Sequence, residues 1–404
     1  MKVFLQLVTS CIIISICACN STPGAVSTTA TIPDTVSVKL ELVSDSLIMP
    51  IETNIVAGQT DRLFITDYLG TIRIMKKDSL LPTPFLNLGS KRNIKNPESP
   101  VGTICSMAFH PAFASNGKFY VCYNAATTVA GHPGKLMVAS FQVSSSNKDI
   151  ADPASEKTVL ELEGKNIVAN SAHIAFGPDG FLYISIGEDG ISDSNYVYHG
   201  QDLDRLNGKI LRVDVDKQPY AIPVDNPFVS VKGARPEIWA YGIRKMWSFC
   251  FDPITKKLIG GDVGEQLEEE LDIVEKGGNY GWPVKEGDAY FMKKDSPMTV
   301  VNIPPIHSYT RVIGICVIGG NFYEGKELPS LVNQYVFSDF NGSVYSLQEN
   351  AGQWSRESIK IVNRPVHPFF ICGNGRDSNN EILVMGYLVI DGKNKGVVYW
   401  LVKG

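Results

Sequence analysis

The chain has 404 residues, of which 44% are hydrophobic and 10% aromatic, and its formal net charge at pH 7 is −5. These apolar side chains suffice for a large core, whereas 42 acidic against 37 basic residues give no basic surface field. Composition therefore excludes nucleic acid as an expected partner, and no shift in composition divides the chain into two domains.

The N-terminus has the pattern of a bacterial lipoprotein signal. Lys2 precedes an apolar run over residues 3–16, and the sequence Ile-Cys-Ala-Cys then ends at Cys19. This run is shorter than the ~20 apolar residues that span a bilayer. Cleavage before Cys19 and lipidation of its thiol are therefore expected, with residues 1–18 as the signal peptide. The resulting protein would be anchored in the bacterial cell envelope by lipid alone, with its folded part in the periplasm or at the cell surface.

Residues 19–35 are expected to form a flexible tether. The segment is rich in Ser, Thr, Ala and Pro, which cannot bury a core. The folded domain is therefore predicted over residues 36–404.

Five cysteines follow the tether, and none belongs to a CxxC pair. An odd number without paired spacing argues against a disulfide framework or a zinc site, so free thiols within strands are predicted. These residues are Cys105, Cys122, Cys250, Cys316 and Cys372.

A short β-strand pattern recurs along the folded part. RLFITD begins at Arg62, and related segments begin at residues 118, 181, 257, 334 and 381. Several are followed by a Gly or Asn turn and a second strand, as in NGKILRVDVD and NGSVYSL. Such recurrence is typical of blades arranged around a channel. The prediction is an all-β fold, a six-bladed β-propeller of four-stranded antiparallel blades, with few helices and with long loops on one face that carry the functional site.

The order of motifs between residues 169 and 283 carries the strongest functional signal. FGPDGFLYISIGEDG, GQDLDRLNGKILRVD, RPEIWAYGIRKMWSFCFDP and EKGGNYGWP follow one another there. Together they resemble the glucose/sorbosone dehydrogenase family, quinoprotein β-propellers that oxidise sugars with pyrroloquinoline quinone (PQQ). The resemblance implies a PQQ-dependent oxidoreductase acting on the CH–OH groups of a sugar or polyol. Because the chain has no CxxCH haem-attachment sequence, electrons would leave through a separate acceptor.

The acidic run between Gly264 and Asp272 is the expected metal site. Carboxylate and backbone oxygens in irregular loops hold hard cations such as Ca²⁺, and the following GGNYGWP permits a sharp turn back towards the run. A solvated acidic surface is the alternative. The family resemblance implies Ca²⁺ ligands at the backbone oxygens of Gly264 and Glu265, the carboxylate of Glu270 and the carbonyl of Tyr280.

The resemblance also implies positions for the quinone. Arg244 matches a family arginine that faces the quinone, and Lys245 stands where the family has asparagine. Tyr309 opens a further family segment, and Asn341 stands where the family has lysine. These four residues are the predicted cofactor-binding set. Other polar family positions correspond to apolar residues here, which predicts weak PQQ binding; they are Val101, Phe369 and Ile371.

The family's catalytic histidine corresponds to Ala169. His173 is one candidate replacement base, because a strand bulge would aim it at the propeller axis, although a histidine packed between blades is the alternative. Asp189, beside Glu188 in a glycine-bounded turn, is the other candidate, as a base, a metal ligand or an ordinary turn residue. With Arg244, these two form the predicted catalytic set.

Three functions follow from these patterns. The first is the PQQ-dependent sugar dehydrogenase that the resemblance implies. The second is a non-catalytic propeller that binds a carbohydrate or a protein at the envelope. The third is a calcium-dependent hydrolase of a lactone or ester. Fold alone does not choose among them.

Overall fold

A computed structural model describes residues 36–91, 99–164, 172–188, 198–292 and 300–404. The predicted signal peptide and tether, including Cys19, lie outside these ranges, as do Ala169 and Asp189.

The described chain is built almost entirely of β-strands. Their bounds in chain order are β1 (Ser37–Leu47), β2 (Pro50–Asn54), β3 (Leu63–Asp67), β4 (Thr71–Lys76), β5 (Ser79–Leu80), β6 (Leu86–Asn87), β7 (Ile104–Phe109), β8 (Lys118–Ala125), β9 (Gly134–Val143), β10 (Ala151–Gly164), β11 (Ile174–Phe176), β12 (Leu182–Ile186), β13 (Lys209–Val213), β14 (Ile238–Tyr241), β15 (Met246–Phe251), β16 (Leu258–Asp262), β17 (Glu268–Val274), β18 (Lys285–Glu286), β19 (Ala289–Tyr290), β20 (His307–Thr310), β21 (Val317–Phe322), β22 (Tyr335–Asp339), β23 (Val344–Asn350), β24 (Gln353–Ile361), β25 (Phe369–Arg376), β26 (Ile382–Ile390) and β27 (Lys393–Lys403).

Helical structure within the described ranges is sparse, and the sequence predicts few helices. One α-helical turn, α1, spans Phe113–Asn116, and 3-10 turns span Gly89–Lys91 and Pro329–Leu331. None of the described helices has the length and apolar character needed to cross a membrane.

The strands form an all-β propeller of four-stranded antiparallel blades. Three sheets contain four strands each: β7 to β10, β11 to β14, and β15, β16, β17 and β20. A five-stranded sheet contains β2 to β6, and β18 and β19 form a small ribbon. The remaining strands form an eight-stranded sheet in the order β21, β22, β23, β24, β1, β27, β26, β25.

The hydrogen-bonded sheets do not divide into the six separate four-stranded units that the repeats predict. β1 pairs in parallel with β24 at Ser37↔Lys360 and Val38↔Ile361, which merges two halves into the eight-stranded sheet. The five-stranded sheet arises because β5 and β6 both pair with β4. β1 also pairs antiparallel with β27, so the first and the last of the described strands lie side by side.

The repeated sequence segments form the second strand of each blade. β3, β8, β12, β16, β22 and β26 each lie next to a terminal strand of their sheet. Every residue of β3, β12, β16 and β22 is buried, because neighbouring sheets cover both faces. This double coverage explains why apolar residues run almost continuously through these segments.

Six terminal strands surround a central channel. β2, β7, β11, β15, β21 and β25 each end a hydrogen-bonded sheet. β2 contacts β7 and β25, β7 contacts β11, and β21 contacts β15 and β25. Their edges, which lack a neighbouring strand, therefore face one axis, while the apolar cores lie between adjacent sheets, as where Tyr120 packs in one cluster with Ile174 and Leu211.

The five cysteines after the tether carry free thiols, which agrees with the sequence-based prediction. Cys122 and Cys372 are buried, and the other three are partly buried.

Candidate functional site

Four buried acidic side chains come together at one end of β16 and β17. Asp262 ends β16, Glu270 and Asp272 lie in β17, and Glu286 lies in β18. One carboxylate oxygen from each of Asp262, Glu270 and Asp272 lies within 4.8 Å of the others. Glu286 is close enough to raise the pKa of both Asp262 and Glu270. We call these four residues the carboxylate cluster.

Strand geometry explains why this sequence produces the cluster. Glu270 and Asp272 are two residues apart in β17, so their side chains point to the same face of the sheet. Asp262 lies directly opposite Glu270 on β16. Glu269 points to the opposite face, where its Oε1 lies 2.7 Å from Nη1 of Arg311. The predicted acidic loop is therefore largely a strand, and its alternation separates the carboxylates into two groups.

The cluster contains more carboxylate oxygens than hydrogen-bond donors. Asp262 accepts hydrogen bonds from the backbone N–H groups of Arg244, at 2.8 Å, and Lys245. Glu286 Oε1 accepts from three backbone N–H groups of residues 266–268, at 2.6 to 3.1 Å. Both carboxylate oxygens of Asp272 and the Oε2 atom of Glu286 are buried without a partner in the described structure. Such orphaned acceptors are costly unless a proton or a cation reaches them.

Burial and mutual repulsion favour the protonated form of these acids. Burial, followed by the carboxylates of Asp272 and Asp262, raises the pKa of Glu270 well above its usual value. Burial raises the pKa of Asp262 to about 6, and burial with the charge of Asp262 raises the pKa of Asp272. A divalent cation would neutralise the charges and supply the missing partner, and a donor set made only of oxygens suits Ca²⁺ or Mg²⁺. The residues present therefore fit a hard divalent cation.

The predicted calcium ligands are only partly brought together. Glu270 belongs to the cluster, and Gly264 lies beside it, since a Cβ atom at that position would be 2.6 Å from Glu286 Oε1. The Gly264 carbonyl, however, accepts a 2.6 Å hydrogen bond from Nη2 of Arg311. Glu265 directs its carboxylate to Arg244.

Tyr280 is buried against the same sheet, but its side chain serves the turn. Its hydroxyl donates to the Ile273 carbonyl at 2.7 Å and accepts from the Glu275 backbone N–H at 2.7 Å. The glycine turn thus places Tyr280 at the end of β17, just beyond the acidic run, where its hydroxyl bonds to Ile273 and Glu275.

Sequence reasoning missed Asp262 and Glu286. Asp262 closes the repeated strand segment KLIGGD, where it looks like one more turn-forming acid. Its signal was its place at the end of a strand whose other residues are all apolar or glycine. Glu286 carries no comparable signal, because only the tertiary fold brings the β18–β19 ribbon to the cluster.

Arg244 and Lys245 immediately precede β15, at one end of the channel that we call the channel mouth. The Arg244 guanidinium donates to the Val263 carbonyl at 2.7 Å and pairs with the Glu265 carboxylate. The Lys245 side chain is buried, and burial lowers its pKa to about 8. Its Nζ atom lies 5.5 Å from the centroid of the Trp247 ring. Because Arg244 pairs with Glu265, its positive charge is already balanced within the protein.

Tyr309 and Asn341 also use their polar atoms internally. Tyr309 is 3% exposed and donates from its hydroxyl to Asp339 Oδ2 at 3.0 Å. Asn341 donates from Nδ2 to the Ile313 carbonyl at 3.0 Å, and its Oδ1 accepts from the Ser343 backbone N–H at 2.9 Å. Phe369 and Ile371 belong to a buried apolar cluster. Within the described ranges, these positions fit PQQ poorly, because the cofactor's carboxylates would have to displace existing contacts.

His173 immediately precedes β11 and faces the channel interior. Its Nε2 atom lies 3.1 Å from Glu52 Oε1, and its ring packs edge-on against Phe249 with centroids 4.7 Å apart. The sequence left two positions open, one facing the propeller axis and one packed between blades. The ring satisfies both descriptions, because it is held between neighbouring blades and also lines the channel. Glu188, the last described residue before Asp189, accepts from the backbone N–H groups of His199 and Gly200 at 2.8 Å.

Comparison with known proteins identifies the family. The family model described as Glucose / Sorbosone dehydrogenase matches residues 49–360. The chain belongs to this family. Among curated relatives, HIPL1 protein of Arabidopsis thaliana is 30% identical over 59% of this chain and 42% of its own length. Hedgehog-interacting protein of Mus musculus is 26% identical over 80% of this chain and 46% of its own length.

Sugar dehydrogenases are also among the proteins to which this chain is similar. Aldose sugar dehydrogenase YliI of Escherichia coli is 31% identical over 45% of this chain and 46% of its own length. The chain thus spans less than half the length of these three curated relatives. The PQQ-bound aldose sugar dehydrogenase of Streptomyces coelicolor superposes with a TM-score of 0.69 at 19% identity, over 92% of this chain and 99% of its own. At that identity the likeness establishes the propeller fold.

Proposed function

We propose that this chain is a calcium-binding propeller that keeps the fold of the glucose/sorbosone dehydrogenase family and acts as a binding protein without quinone chemistry. The observation that carries this proposal is that the predicted quinone-binding residues already use their polar groups within the protein. Arg244 is neutralised by Glu265, and Tyr309 and Asn341 bond to neighbouring protein groups. A quinone with several carboxylates would need these donors.

The extent of sequence similarity also favours a binding role. Hedgehog-interacting protein, whose name records a protein partner, aligns over 80% of this chain, whereas aldose sugar dehydrogenase YliI aligns over 45%. The partner of this chain would be a protein or a carbohydrate of the cell envelope. We also propose that the eight-stranded sheet consists of two blades. The propeller then has six blades, one for each terminal strand around the channel.

Calcium would have a structural role in this protein. Asp262, Glu270, Asp272 and Glu286 would hold the ion, which supplies positive charge to a buried acidic site. These carboxylates come from β16, β17 and the β18–β19 ribbon, so the ion would fasten the ribbon to the blade. The Asp262 carboxylate also accepts the backbone N–H groups of Arg244 and Lys245, and it would thereby connect the ion to the channel mouth.

A sugar dehydrogenase is the second candidate function. Family membership favours it, as do two basic residues, Arg244 and Lys245, at the channel mouth. This reading requires a sugar or polyol substrate, a separate electron acceptor and a general base. Ala169 has no proton-accepting side chain, so His173 or Asp189 would have to take that role.

Titration of the purified chain with Ca²⁺ and then PQQ, followed by thermal melting, PQQ absorbance and sugar-dependent dye reduction, separates the two candidates. We expect Ca²⁺ to raise the melting temperature and PQQ to change neither the melting curve nor its own spectrum. We expect dye reduction at background level, since a general base typically contributes ~10²–10⁴-fold. PQQ-dependent turnover by the unmodified chain would contradict the binding role, and His173→Ala and Asp189→Asn would then identify the base.

We also propose that the propeller is held in the bacterial envelope by lipid on Cys19. The Ile-Cys-Ala-Cys sequence after an apolar run supports this proposal. Wild-type protein should incorporate labelled fatty acid and sediment with membranes, whereas Cys19→Ala should accumulate as an unlabelled precursor. Cys17→Ala is the matched control and should be labelled normally. Equal labelling of Cys19→Ala would contradict the anchor.

A further inference from the structure

Two thiols lie next to each other where β7 pairs with β8. Cys105 belongs to β7, one of the terminal strands around the channel, and Cys122 belongs to β8. Cys122 is part of a buried apolar cluster against which Cys105 packs, and its thiol donates a hydrogen bond to the Cys105 sulfur. Neither residue belongs to the carboxylate cluster or to the predicted quinone-binding set.

A β-bulge brings these two side chains together. Ile104 lies opposite Tyr123 across the β7–β8 ladder. Ser106, two residues later, lies opposite Cys122, so Cys105 is the extra residue of β7. In a regular strand side chains alternate, and Cys105 would point to the face opposite that of Ser106 and Cys122. The bulge interrupts this alternation and re-aims the Cys105 side chain, which explains its contact with a residue that is not its ladder partner.

The Cys105 sulfur is surrounded by hydrogen-bond donors. Besides the Cys122 thiol, Asn124 Nδ2 lies 3.6 Å from the sulfur, and the backbone N–H of Ala172 also donates to it. Asn124 is fully buried, and its Nδ2 atom is fixed by a further hydrogen bond to Thr103 Oγ1 at 2.8 Å. Such donors favour the thiolate, which is the nucleophilic form of cysteine.

The environment of Cys105 differs from that of the other described cysteines. The hydrogen bond from Cys122 lowers the pKa of Cys105 despite its burial. Burial instead raises the pKa of Cys250 to about 12, and it also raises the pKa of Cys316 and Cys372. Cys105 is partly exposed, whereas Cys122 is fully buried. A reagent from solution therefore reaches Cys105 first, and Cys122 can act on a group that is already attached to Cys105.

We propose that Cys105 and Cys122 form a reversible redox pair, which is oxidised to a disulfide by exchange with an external disulfide. In the first step the Cys105 thiolate attacks one sulfur of the oxidant R–S–S–R, which forms a Cys105–S–S–R bond and releases RS⁻. In the second step Cys122 loses its proton and attacks the Cys105 sulfur, which releases the second RS⁻. The two RS⁻ groups take up the protons that the protein thiols lose. Two protein thiols are thereby oxidised, and one external disulfide is reduced to two thiols.

Disulfide mapping of the full chain tests this proposal, with bis(2-hydroxyethyl) disulfide as the oxidant and N-ethylmaleimide to block the remaining thiols. Trypsin cleaves after Lys118, so Cys105 and Cys122 fall in separate peptides that a disulfide would keep joined. We expect the folded wild-type chain to give this joined pair and dithiothreitol to separate it. Cys250→Ala is the matched control, because it removes a cysteine outside the pair, and it should give the same joined peptides.

Two variants separate the two steps. Cys122→Ala should stop after the first step and accumulate the hydroxyethyl mixed disulfide on Cys105. Cys105→Ala should leave Cys122 unmodified in the folded chain, because Cys122 is fully buried. Thermal melting of each variant establishes that it is folded.

Three results would overturn the proposal. One is the absence of joined peptides from the folded wild-type chain under conditions in which the oxidant modifies both cysteines in urea. Another is a mixed disulfide on Cys105 that persists equally in wild type and in Cys122→Ala, which would mean that Cys122 does not attack it. The third is a disulfide that joins Cys105 to a cysteine other than Cys122, such as Cys316.

Discussion

The carboxylate cluster and the channel mouth are neighbours that differ in how their charges are balanced. In the cluster, three buried oxygens of Asp272 and Glu286 have no partner among the described residues. At the mouth, Arg244 pairs with Glu265 and donates to the Val263 carbonyl. Buried groups without partners require one from outside, whereas satisfied groups must lose a partner before they can bind anything else. The first region therefore has the character of a ligand site, and the second has that of internal structure.

Calcium removal should produce the largest effect, because the cluster then has no counter-charge. Ca²⁺ at 100 times its dissociation constant should stabilise the fold by ~2.7 kcal/mol, and EDTA should remove that gain. Glu270→Gln should abolish most of the difference between Ca²⁺ and EDTA in urea unfolding. Glu349→Gln, an exposed glutamate at the end of β23, is the matched control and should respond like wild type. Identical unfolding curves in Ca²⁺ and EDTA would show that the cluster holds only protons.

The free energy of unfolding of the calcium-free protein should depend on pH, because the buried carboxylates have no counter-charge. The pKa of Asp262 is raised to about 6 in the folded chain, against a usual value of 3.8. The unfolded chain therefore loses this proton first, so stability is complete below about pH 4 and declines as pH rises through 6. At ~1.4 kcal/mol per pKa unit, we expect a loss on the order of 2 kcal/mol between pH 4 and pH 8 in EDTA. Saturating Ca²⁺ should remove most of this decline, and parallel pH profiles with and without Ca²⁺ would contradict the prediction.

Lys245→Met tests whether the buried Lys245 ammonium at the channel mouth lowers the stability of the fold. Burial lowers the pKa of Lys245 to about 8, from 10.5, so the charged form opposes folding at neutral pH. The variant should be more stable by ~1–3 kcal/mol at pH 7. The wild-type chain gains stability between pH 8 and 10.5, where the folded ammonium has lost its proton, so the advantage of the variant should shrink over that window. A variant less stable than wild type at pH 7 would contradict this prediction.

Tyr309→Phe should have the smallest effect. It removes the 3.0 Å hydrogen bond to Asp339, whose carboxylate keeps the backbone donors of Ile315 and Cys316. We expect a loss of about 1 kcal/mol in urea unfolding and unchanged Ca²⁺ affinity. A change in PQQ binding in this variant would instead give Tyr309 a cofactor role.

The fold was predictable because its signal is local. Segments such as FLYISI are buried on both faces, and their recurrence with turn residues at the ends is enough to indicate a propeller. The merging of two halves into one sheet was not predictable, because it depends on pairs such as Ser37↔Lys360 that are remote in the chain.

The candidate site was predictable only where its residues stand together in the sequence. Glu270 stands out in the sequence because it belongs to an acidic run, but the run suggests a loop, whereas residues 268–274 form β17 and their side chains alternate between its two faces. Tyr309 lies opposite Glu269 in the pairing of β17 with β20, and that register places its ring in an apolar cluster. Local motifs cannot convey such a register.

The position of β1 also has a mechanical consequence. β1 is held between β24 and β27, with its pairing to β27 running from Val38 to Leu47. Tension applied at residue 36 along the strand would load these hydrogen bonds together in shear, so they could not open one after another. The pairing of β1 with β27 also forms only after β27 has been synthesised. A chain cut before β27 would leave β1 paired with β24 alone. In a propeller anchored through its N-terminal side, the pairing of β1 with β27 would therefore both bear the applied force and complete the fold.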